Sequence, residues 1–253
     1  MLFRLKQCAF LKMNKNISYV LILSLFYFMP LFAHAQQEVN NDLSLKYLVR
    51  KSTIVSGKMP VVILLHGFGS NETDLFTLKD SFPGKYLIVS ARAPMNVGPD
   101  AYQWFGNQTV RGAVEGNPAD LKRGRQKIKL FIAEVVKKYH ADAAQVYVLG
   151  FSQGAMMSYE VGLTSPELVK GIAPMSGKIF NSLKPDIKVS SSLKHLKVFI
   201  GHGDADNRVI LGSATNAAAY LKKLGISPSL HIYKGVTHSI SEQEISDLIK
   251  WLN

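Results

Sequence analysis

The stretch QVYVLGFSQGAMMSYEV, residues 145–161, places a single serine between two glycines, with Ser152 flanked by Gly150 and Gly154. An apolar run precedes this serine, and a helical pattern of small residues follows it. A sharp strand-to-helix turn needs an unusual backbone conformation at its central residue. It also needs glycine at the flanking positions, where a side chain would collide with the strand or the helix. The pattern therefore favours Ser152 as a nucleophile over an ordinary turn serine.

A serine hydroxyl needs a general base before it can attack a carbonyl carbon. Among the seven histidines, His238 in KGVTHSIS lies between the last strand pattern and the last helix pattern, where a base able to reach Ser152 is expected. The base in turn needs a carboxylate to fix its tautomer, and GHGDADNRV offers Asp204 and Asp206. Asp206 is preferred, because Asp204 is better suited to shaping the turn through its own backbone hydrogen bonds.

The chemistry also needs amide N–H groups that stabilise the negative charge developing on the carbonyl oxygen. Phe68, in the glycine-containing loop LLHGFGSN, and Gln153, directly after the serine, are the predicted donors. His66 in the same loop is expected to support it structurally. Ser176 in APMSG is also expected to be structural, because a second nucleophile would have no base.

The elements that position these residues follow from alternating apolar runs and helical patterns. This alternation predicts an α/β fold with a mostly parallel central sheet covered by helices on both faces. Parallel sheets bind ligands at the carboxyl ends of their strands, and the proposed serine, aspartate and histidine all follow strands. The predicted strands are 43–50, 60–67, 85–93, 145–150, 171–177, 196–203 and 229–235. The predicted helices are 73–82, 118–139, 153–164, 214–224 and 241–252, the last opened by a Ser241–Glu244 capping box.

The amino-terminal segment has a different character. Residues 1–35 combine four basic residues, an apolar run and the small-residue ending AHA, which predicts a secretory signal peptide cleaved after Ala35. Met13 is an alternative start, and an uncleaved membrane anchor is the competing interpretation. Residues 36–253 are then the folded domain, secreted or periplasmic and without stable membrane insertion. Cys8 is the only cysteine, so the mature chain would have no disulfide and no thiol nucleophile.

The net charge of +12 would fall to +8 after cleavage. Much of the excess lies in LKRGRQKIKLFIAEVVKKY, residues 121–139, where apolar residues recur at helical spacing between the charges. This pattern favours a solvated helix face over a nucleic-acid site. The chain contains no phosphate loop, dinucleotide fingerprint or zinc-ligand spacing, so neither a cofactor nor a metal is expected. No pattern indicates an oligomeric state.

The blocks VVILLHGFGSNETDL, ARAPMNVGPDAYQWF, GFSQGAMMS, APMSG, IGHGDADNRV and GVTHSIS resemble, in order and spacing, the phospholipase/carboxylesterase family of α/β-hydrolases. This family includes acyl-protein thioesterases and small bacterial esterases. The resemblance implies the triad Ser152, Asp206 and His238, and it implies oxyanion amides at Phe68 and Gln153. It also places Trp104 and Phe105 near the acyl group, although both could be core aromatics. Two features depart from the family: the signal segment, and THS where many members have GHE.

These observations predict a serine esterase that hydrolyses small carboxylic esters, or thioesters, through an acyl-enzyme and without a cofactor. Lysophospholipase, acyl-thioesterase and extracellular depolymerase activities remain alternatives on the same fold. A non-catalytic ligand-binding protein on a hydrolase scaffold is the alternative from another class. Residues 178–195 read as a lysine- and serine-rich surface loop that gives at most a minimal lid, so short or medium acyl chains are expected.

Overall fold

Seven strands form the central sheet of the computed structural model, which describes residues 38–54, 57–110 and 112–253. The predicted signal segment and Cys8 lie outside the described residues. The strands are β1 (Tyr47–Arg50), β2 (Val61–Leu65), β3 (Leu87–Ala91), β8 (Val146–Phe151), β9 (Gly171–Met175), β10 (Lys197–Gly203) and β11 (Ser229–Tyr233). The sheet order is β1-β3-β2-β8-β9-β10-β11, with β1 antiparallel to β3 and every other pair parallel.

Helices cover both faces of the sheet, as the strand composition predicts. The sequences VVILL of β2 and LIVSA of β3 are buried throughout, because continuous apolar runs suit strands covered on both sides. The α-helices are α1 (Thr73–Phe76), α2 (Pro118–Lys138), α3 (Gln153–Thr164), α4 (Ser191–His195), α5 (Gly212–Lys223) and α6 (Glu242–Leu252). The parallel sheet with flanking helices confirms the predicted fold class.

Alternate side chains of the central strands enter two separate apolar cores. Ile63 of β2 joins the core that holds buried residues of α2, α3 and α5, such as Phe131 of α2. Leu64, the next residue, joins the core with Leu75 of α1 and Leu248 of α6. This alternation holds the sheet rigidly between helices, so the loops at its carboxyl edge stand on a fixed platform.

Several predicted boundaries match the structure, and helix α3 matches at both ends. Helix α2 begins as expected, with the Asn117 side chain accepting hydrogen bonds from the Ala119 and Asp120 amides at 3.0 and 3.2 Å. The final helix has only half of its capping box. The Ser241 hydroxyl accepts from the Glu244 amide, but the Glu244 carboxylate has no hydrogen-bond partner among the described residues. Burial raises the pKa of Glu244 to about 8.

Two predicted elements are shorter than expected. Strand β1 begins at Tyr47 rather than at residue 43. The predicted helix 73–82 is one turn of α-helix followed by a 3₁₀ helix over Thr77–Ser81. The Thr77 hydroxyl donates to the Asp74 carbonyl oxygen at 2.7 Å, which supports the tighter winding at this point.

The sequence prediction missed two β-hairpins between β3 and α2. The first joins β4 (Met95–Gly98) to β5 (Ala101–Gln103), and the second joins β6 (Asn107–Val110) to β7 (Ala113–Gly116). Their strands have three or four residues, and most of the described side chains in them are partly or fully exposed. Such strands have no continuous apolar run or regular alternation to reveal them.

Residues 178–195 are more ordered than the predicted surface loop. They contain a 3₁₀ helix, Asn181–Asp186, and helix α4. Phe180, Leu183 and Leu193 are buried in the core, while the lysines between them stay at least partly exposed. The expectation of an irregular loop is wrong, because these three apolar side chains anchor the segment to the sheet's helical layer.

Candidate active site

Ser152 occupies the sharp turn between β8 and α3. Its backbone has φ 53° and ψ −113°, a conformation rarely adopted by a residue with a side chain. The flanking glycines permit the turn, because a Cβ on Gly150 would lie 2.1 Å from the Gly154 carbonyl oxygen. A Cβ on Gly154 would lie 1.9 Å from the Leu65 carbonyl oxygen. The strained turn lifts the Ser152 side chain above the carboxyl edge of the sheet, as predicted from the motif.

The structure brings the three residues of the predicted triad into one hydrogen-bonded line. The Ser152 Oγ lies 2.9 Å from His238 Nε2, and His238 Nδ1 lies 2.7 Å from Asp206 Oδ2. The Asp206 carboxylate can only accept, so His238 Nδ1 carries the proton and Nε2 offers its lone pair to the serine hydroxyl. This is the tautomer that a general base needs to accept the serine proton.

Asp206 is held as an ionised group. Its second oxygen, Oδ1, accepts hydrogen bonds from the amides of Arg208 and Val209, each at 2.9 Å. Burial alone would raise the pKa of Asp206, but the hydrogen bonds from His238 and the two amides outweigh it and hold the pKa below its usual value. The carboxylate thus stays negative and can stabilise a protonated His238.

Asp204 has a structural role, but its side chain bonds the neighbouring loop instead of shaping its own turn as the sequence predicts. It is exposed, and its Oδ1 accepts a hydrogen bond from the Gly235 amide at 2.6 Å. Gly203 allows the same two loops to meet, because a Cβ there would lie 2.0 Å from the Val236 carbonyl oxygen. The loop after β10 is therefore joined to the loop after β11, which sets His238 against Asp206.

The amides of Phe68 and Gln153 are both free to receive a ligand oxygen. Neither N–H has a protein acceptor in the described part of the chain. Gln153 is the first residue of α3, so its amide is one of the unpaired groups at the helix amino terminus. A Cβ added to Gly67, next to Phe68, would lie 3.5 Å from the Ser152 Cβ, so the loop after β2 lies beside the serine. This is the arrangement expected of an oxyanion hole.

The Gln153 side chain has a role that the sequence did not indicate. Its Oε1 accepts from the Trp104 amide at 3.1 Å, and its Nε2 donates to the Phe105 carbonyl at 3.0 Å. The side chain therefore fixes residues 104 and 105 beside α3.

Trp104 and Phe105 themselves correct a prediction. Both side chains are fully buried, and neither lines the cavity above Ser152. Trp104 Nε1 donates to the His66 carbonyl at 2.9 Å, and the Phe105 ring packs edge-on against Phe180 with centroids 5.4 Å apart. Both aromatic rings therefore lie in the core beneath the cavity, with Trp104 against His66 and Phe105 against Phe180.

His66 is placed as the sequence predicts, in support of its loop. Its Nδ1 donates to the Gly67 carbonyl at 2.7 Å, and its Nε2 accepts from the Ala93 amide at 3.0 Å. Burial lowers the pKa of His66, which keeps the ring neutral and able to make both bonds. Ser176 is buried at the end of β9, also as expected of a structural residue.

A cavity of about 510 Å³ opens above the triad. The sequence prediction missed most of its wall, because the wall comes from several loops and from the β6–β7 hairpin. Arg208 could have been predicted from the sequence to lie near the site, because it follows Asp206 by two residues. Besides Ser152, His238, Phe68 and Gln153, the wall contains Gly67, Asn107, Val114, Phe151, Met156, Lys178, Phe180, Arg208, Val209, Ile210 and Ser213.

The described residues show neither a metal-binding cluster nor a membrane-spanning helix. They contain no group of three or more histidine, cysteine, aspartate or glutamate side chains that could hold a metal ion. They also contain no helix that is both long enough and apolar enough to span a bilayer.

Comparison with known proteins gives concordant matches over most of the chain. The phospholipase/carboxylesterase family model matches residues 51–253. Acyl-protein thioesterase 1 of Debaryomyces hansenii is 28% identical over 61% of this chain and 65% of that protein. A probable carboxylesterase, SOBER1-like, of Arabidopsis thaliana is 28% identical over 76% of this chain and 77% of that protein. The crystal structure of esterase PE8 superposes with a TM-score of 0.68 at 30% identity, covering 81% of this chain and 95% of PE8.

Proposed function

This chain belongs to the phospholipase/carboxylesterase family of α/β-hydrolases and is a carboxylic ester hydrolase, and from that premise we propose that Ser152, His238 and Asp206 are its catalytic residues. The observation that carries the proposal is the continuous hydrogen-bonded line from Ser152 Oγ through His238 to Asp206. The free amides of Phe68 and Gln153 beside it support their assignment as the oxyanion hole.

In the proposed mechanism Ser152 Oγ attacks the acyl carbonyl carbon while His238 Nε2 accepts the hydroxyl proton. The carbonyl oxygen becomes an oxyanion held by the Phe68 and Gln153 amides. His238 then gives its proton to the leaving alcohol or thiol, and the acyl group remains on Ser152. A water molecule, deprotonated by His238, attacks the acyl-enzyme and releases the acid. Asp206 stabilises the imidazolium in both steps.

Small carboxylic esters are the proposed substrates, with thioesters as the second candidate. The names of the relatives favour both, since they include carboxylesterases and acyl-protein thioesterases. A comparison of kcat/KM for matched oxygen and thiol esters of one acyl group separates the two activities.

Replacement of the nucleophile tests the mechanism. Ser152→Ala should reduce turnover of 4-nitrophenyl butyrate by about 10⁴- to 10⁶-fold, because the acyl-enzyme cannot form. A fluorophosphonate should label the unaltered protein at Ser152, located by peptide mass spectrometry. Ser176→Ala is the matched control and should keep both turnover and labelling. Substantial activity in the Ser152→Ala protein, or labelling at Ser176, would contradict the assignment.

We also propose that residues 1–35 are an export signal and that the mature enzyme acts in the periplasm or outside the cell. The support is the basic start, the apolar run and the small residues before position 36. Mass spectrometry of the protein expressed from its full-length gene should find Gln36 as the first residue, in the soluble exported fraction. An intact amino terminus in the membrane fraction would instead indicate an anchor.

A further inference from the structure

Two basic side chains line the cavity above Ser152. Lys178 follows β9, and Arg208 follows β10, so they reach the cavity from different loops. Among the described residues, no aspartate or glutamate lines the cavity. Asp206, the only carboxylate identified at the triad, is buried beneath the wall and bonded to His238. The wall therefore presents positive charge that its own residues do not neutralise.

Arg208 is fixed to the triad through its backbone, while its side chain remains available. Its amide donates to Asp206 Oδ1 at 2.9 Å, which sets its position relative to His238. Its side chain is exposed, and no hydrogen bond or ion pair engages the guanidinium in the described ranges of the chain. Other arginines differ: Arg123 is paired with Asp120, and Arg125 with Glu160 and Asp186.

Lys178 is held at the wall by neighbours that are not acidic. Its Nζ donates to the Val114 carbonyl oxygen and lies 5.1 Å from the centroid of the Phe180 ring. Both neighbours also line the cavity, so the ammonium group is fixed there rather than extended into solvent. One hydrogen bond leaves two of its N–H donors for a ligand.

Three exposed apolar side chains also line the cavity. Phe68, Val114 and Ile210 have 60%, 54% and 66% of their surface exposed. An ester with an uncharged acyl chain and no other group would contact these side chains and leave both cations without an anionic partner. An ester that also carries an anion would satisfy both, because guanidinium and ammonium groups bind carboxylate and phosphate through charge-assisted hydrogen bonds.

We propose that this enzyme prefers esters bearing an anionic group, a carboxylate or a phosphate, which Arg208 and Lys178 hold beside the reacting carbonyl. The proposal rests on the proposed triad, since it places the anion in the cavity above Ser152.

The test compares each anionic ester with a neutral counterpart of nearly the same shape. Mono-4-nitrophenyl glutarate and its methyl ester place the carboxylate on the acyl side. The compounds 4-acetoxybenzoate and methyl 4-acetoxybenzoate place it on the alcohol side. A third pair, 4-acetoxyphenyl phosphate and its dimethyl ester, replaces the carboxylate by phosphate. At least one pair should show about tenfold higher kcat/KM for the anionic ester than for the neutral one. The pair that responds shows whether the preferred anion is a carboxylate or a phosphate, and whether it lies on the acyl or the alcohol side of the ester.

Charge removal then assigns the preference to the two cations. Arg208→Gln and Lys178→Gln should each lower the anion-to-neutral ratio of kcat/KM several-fold, and raised salt should lower it in the unaltered enzyme. Lys222→Gln is the matched control, because Lys222 is an exposed cation on α5 outside the cavity. It should change neither the ratio nor the rates.

The outcomes separate this proposal from the proposed function. Ratios at or below one in all three pairs would overturn it, and so would a high ratio that survives both glutamine variants or falls equally with Lys222→Gln. Those results would not contradict the assignment of the triad, provided that hydrolysis still depends on Ser152. Ester hydrolysis that persists in Ser152→Ala would instead overturn the triad, and with it the placement of the anion.

Discussion

Two aspartates lie two residues apart after β10, and their environments predict different roles. Asp206 is buried and holds the Nδ1 proton of His238, whereas Asp204 is exposed and binds the Gly235 amide. Asp206→Asn should lower kcat by about 10⁴-fold, because the asparagine amide favours the wrong histidine tautomer. Steady-state kinetics on one ester measures the loss.

Asp204→Asn is the control for this prediction. Its Oδ1 can still accept from the Gly235 amide, so turnover should fall by no more than about tenfold, as expected for an exposed residue away from the reacting atoms. A greater loss at position 204 than at position 206 would mean that the carboxylate partner of the base has been misassigned.

The residues that follow strands could be predicted from the sequence, and those buried by tertiary packing could not. Ser152, Asp206 and His238 meet because strand ends share one edge of a parallel sheet, which the apolar runs alone imply. Whether Trp104 faces a ligand or the core depends on its contacts with His66 and Gln153, which lie 38 and 49 residues away in the sequence and leave no local pattern. The unpaired state of Arg208 is likewise a property of the surrounding fold.

The contact between β8 and α3 sets the shape of the nucleophile turn. Gly150→Ala should lower the free energy of unfolding by about 3 kcal/mol or more, since the new methyl group would meet backbone atoms near 2.1 Å. The corresponding fall in Tm is about 6–12 °C for a chain of this size. Calorimetry of the purified variant measures it.

Gly98→Ala provides the comparison for this substitution. The nearest atom to its added Cβ lies at 3.8 Å, which is an ordinary contact. Its Tm should stay within about 2 °C of the parent. Equal stability of the two variants would show that α3 can move away from β8 without cost.

The elements that the sequence revealed are those with a strong local pattern. Strands β2, β3, β8 and β9 are apolar runs buried on both faces, and α2 has an asparagine cap and a proline at its start. Hairpins β4–β5 and β6–β7 have short, mostly exposed strands, so tertiary contacts rather than sequence pattern determine them. The β6–β7 hairpin supplies Asn107 and Val114 to the cavity, which is why much of the wall escaped prediction.

For the whole molecule, the distribution of charge matters more than its total. The cations of α2 lie mostly on its exposed face, and some pair with acidic neighbours, as the helical pattern predicts. Lys178 and Arg208 are a small share of the net charge, yet they are the cations that line the cavity. Net charge read from composition therefore does not locate a binding site, whereas the folded arrangement of loops does.

The size and closure of the cavity predict a preference for short to medium acyl chains. Each methylene that leaves water contributes about 0.8 kcal/mol, so kcat/KM should rise with chain length while the chain still fits. The cavity holds about 510 Å³, and Phe180 forms part of its wall. Residues 178–195 cannot swing away freely as a lid, because Leu183 and Leu193 anchor them in the core. Longer chains would extend past the exposed Phe68, Val114 and Ile210 into solvent and gain little more.

The measurement is kcat/KM for 4-nitrophenyl esters from acetyl to palmitoyl, at substrate concentrations below aggregation. We expect a maximum at short or medium length and a decline or plateau beyond it. Phe180→Ala supplies the structural counterpart, since a smaller side chain in the wall should move the maximum towards longer chains. A steady rise through palmitoyl in the unaltered enzyme would require a deeper apolar channel than this wall provides, and would show that residues 178–195 open during catalysis.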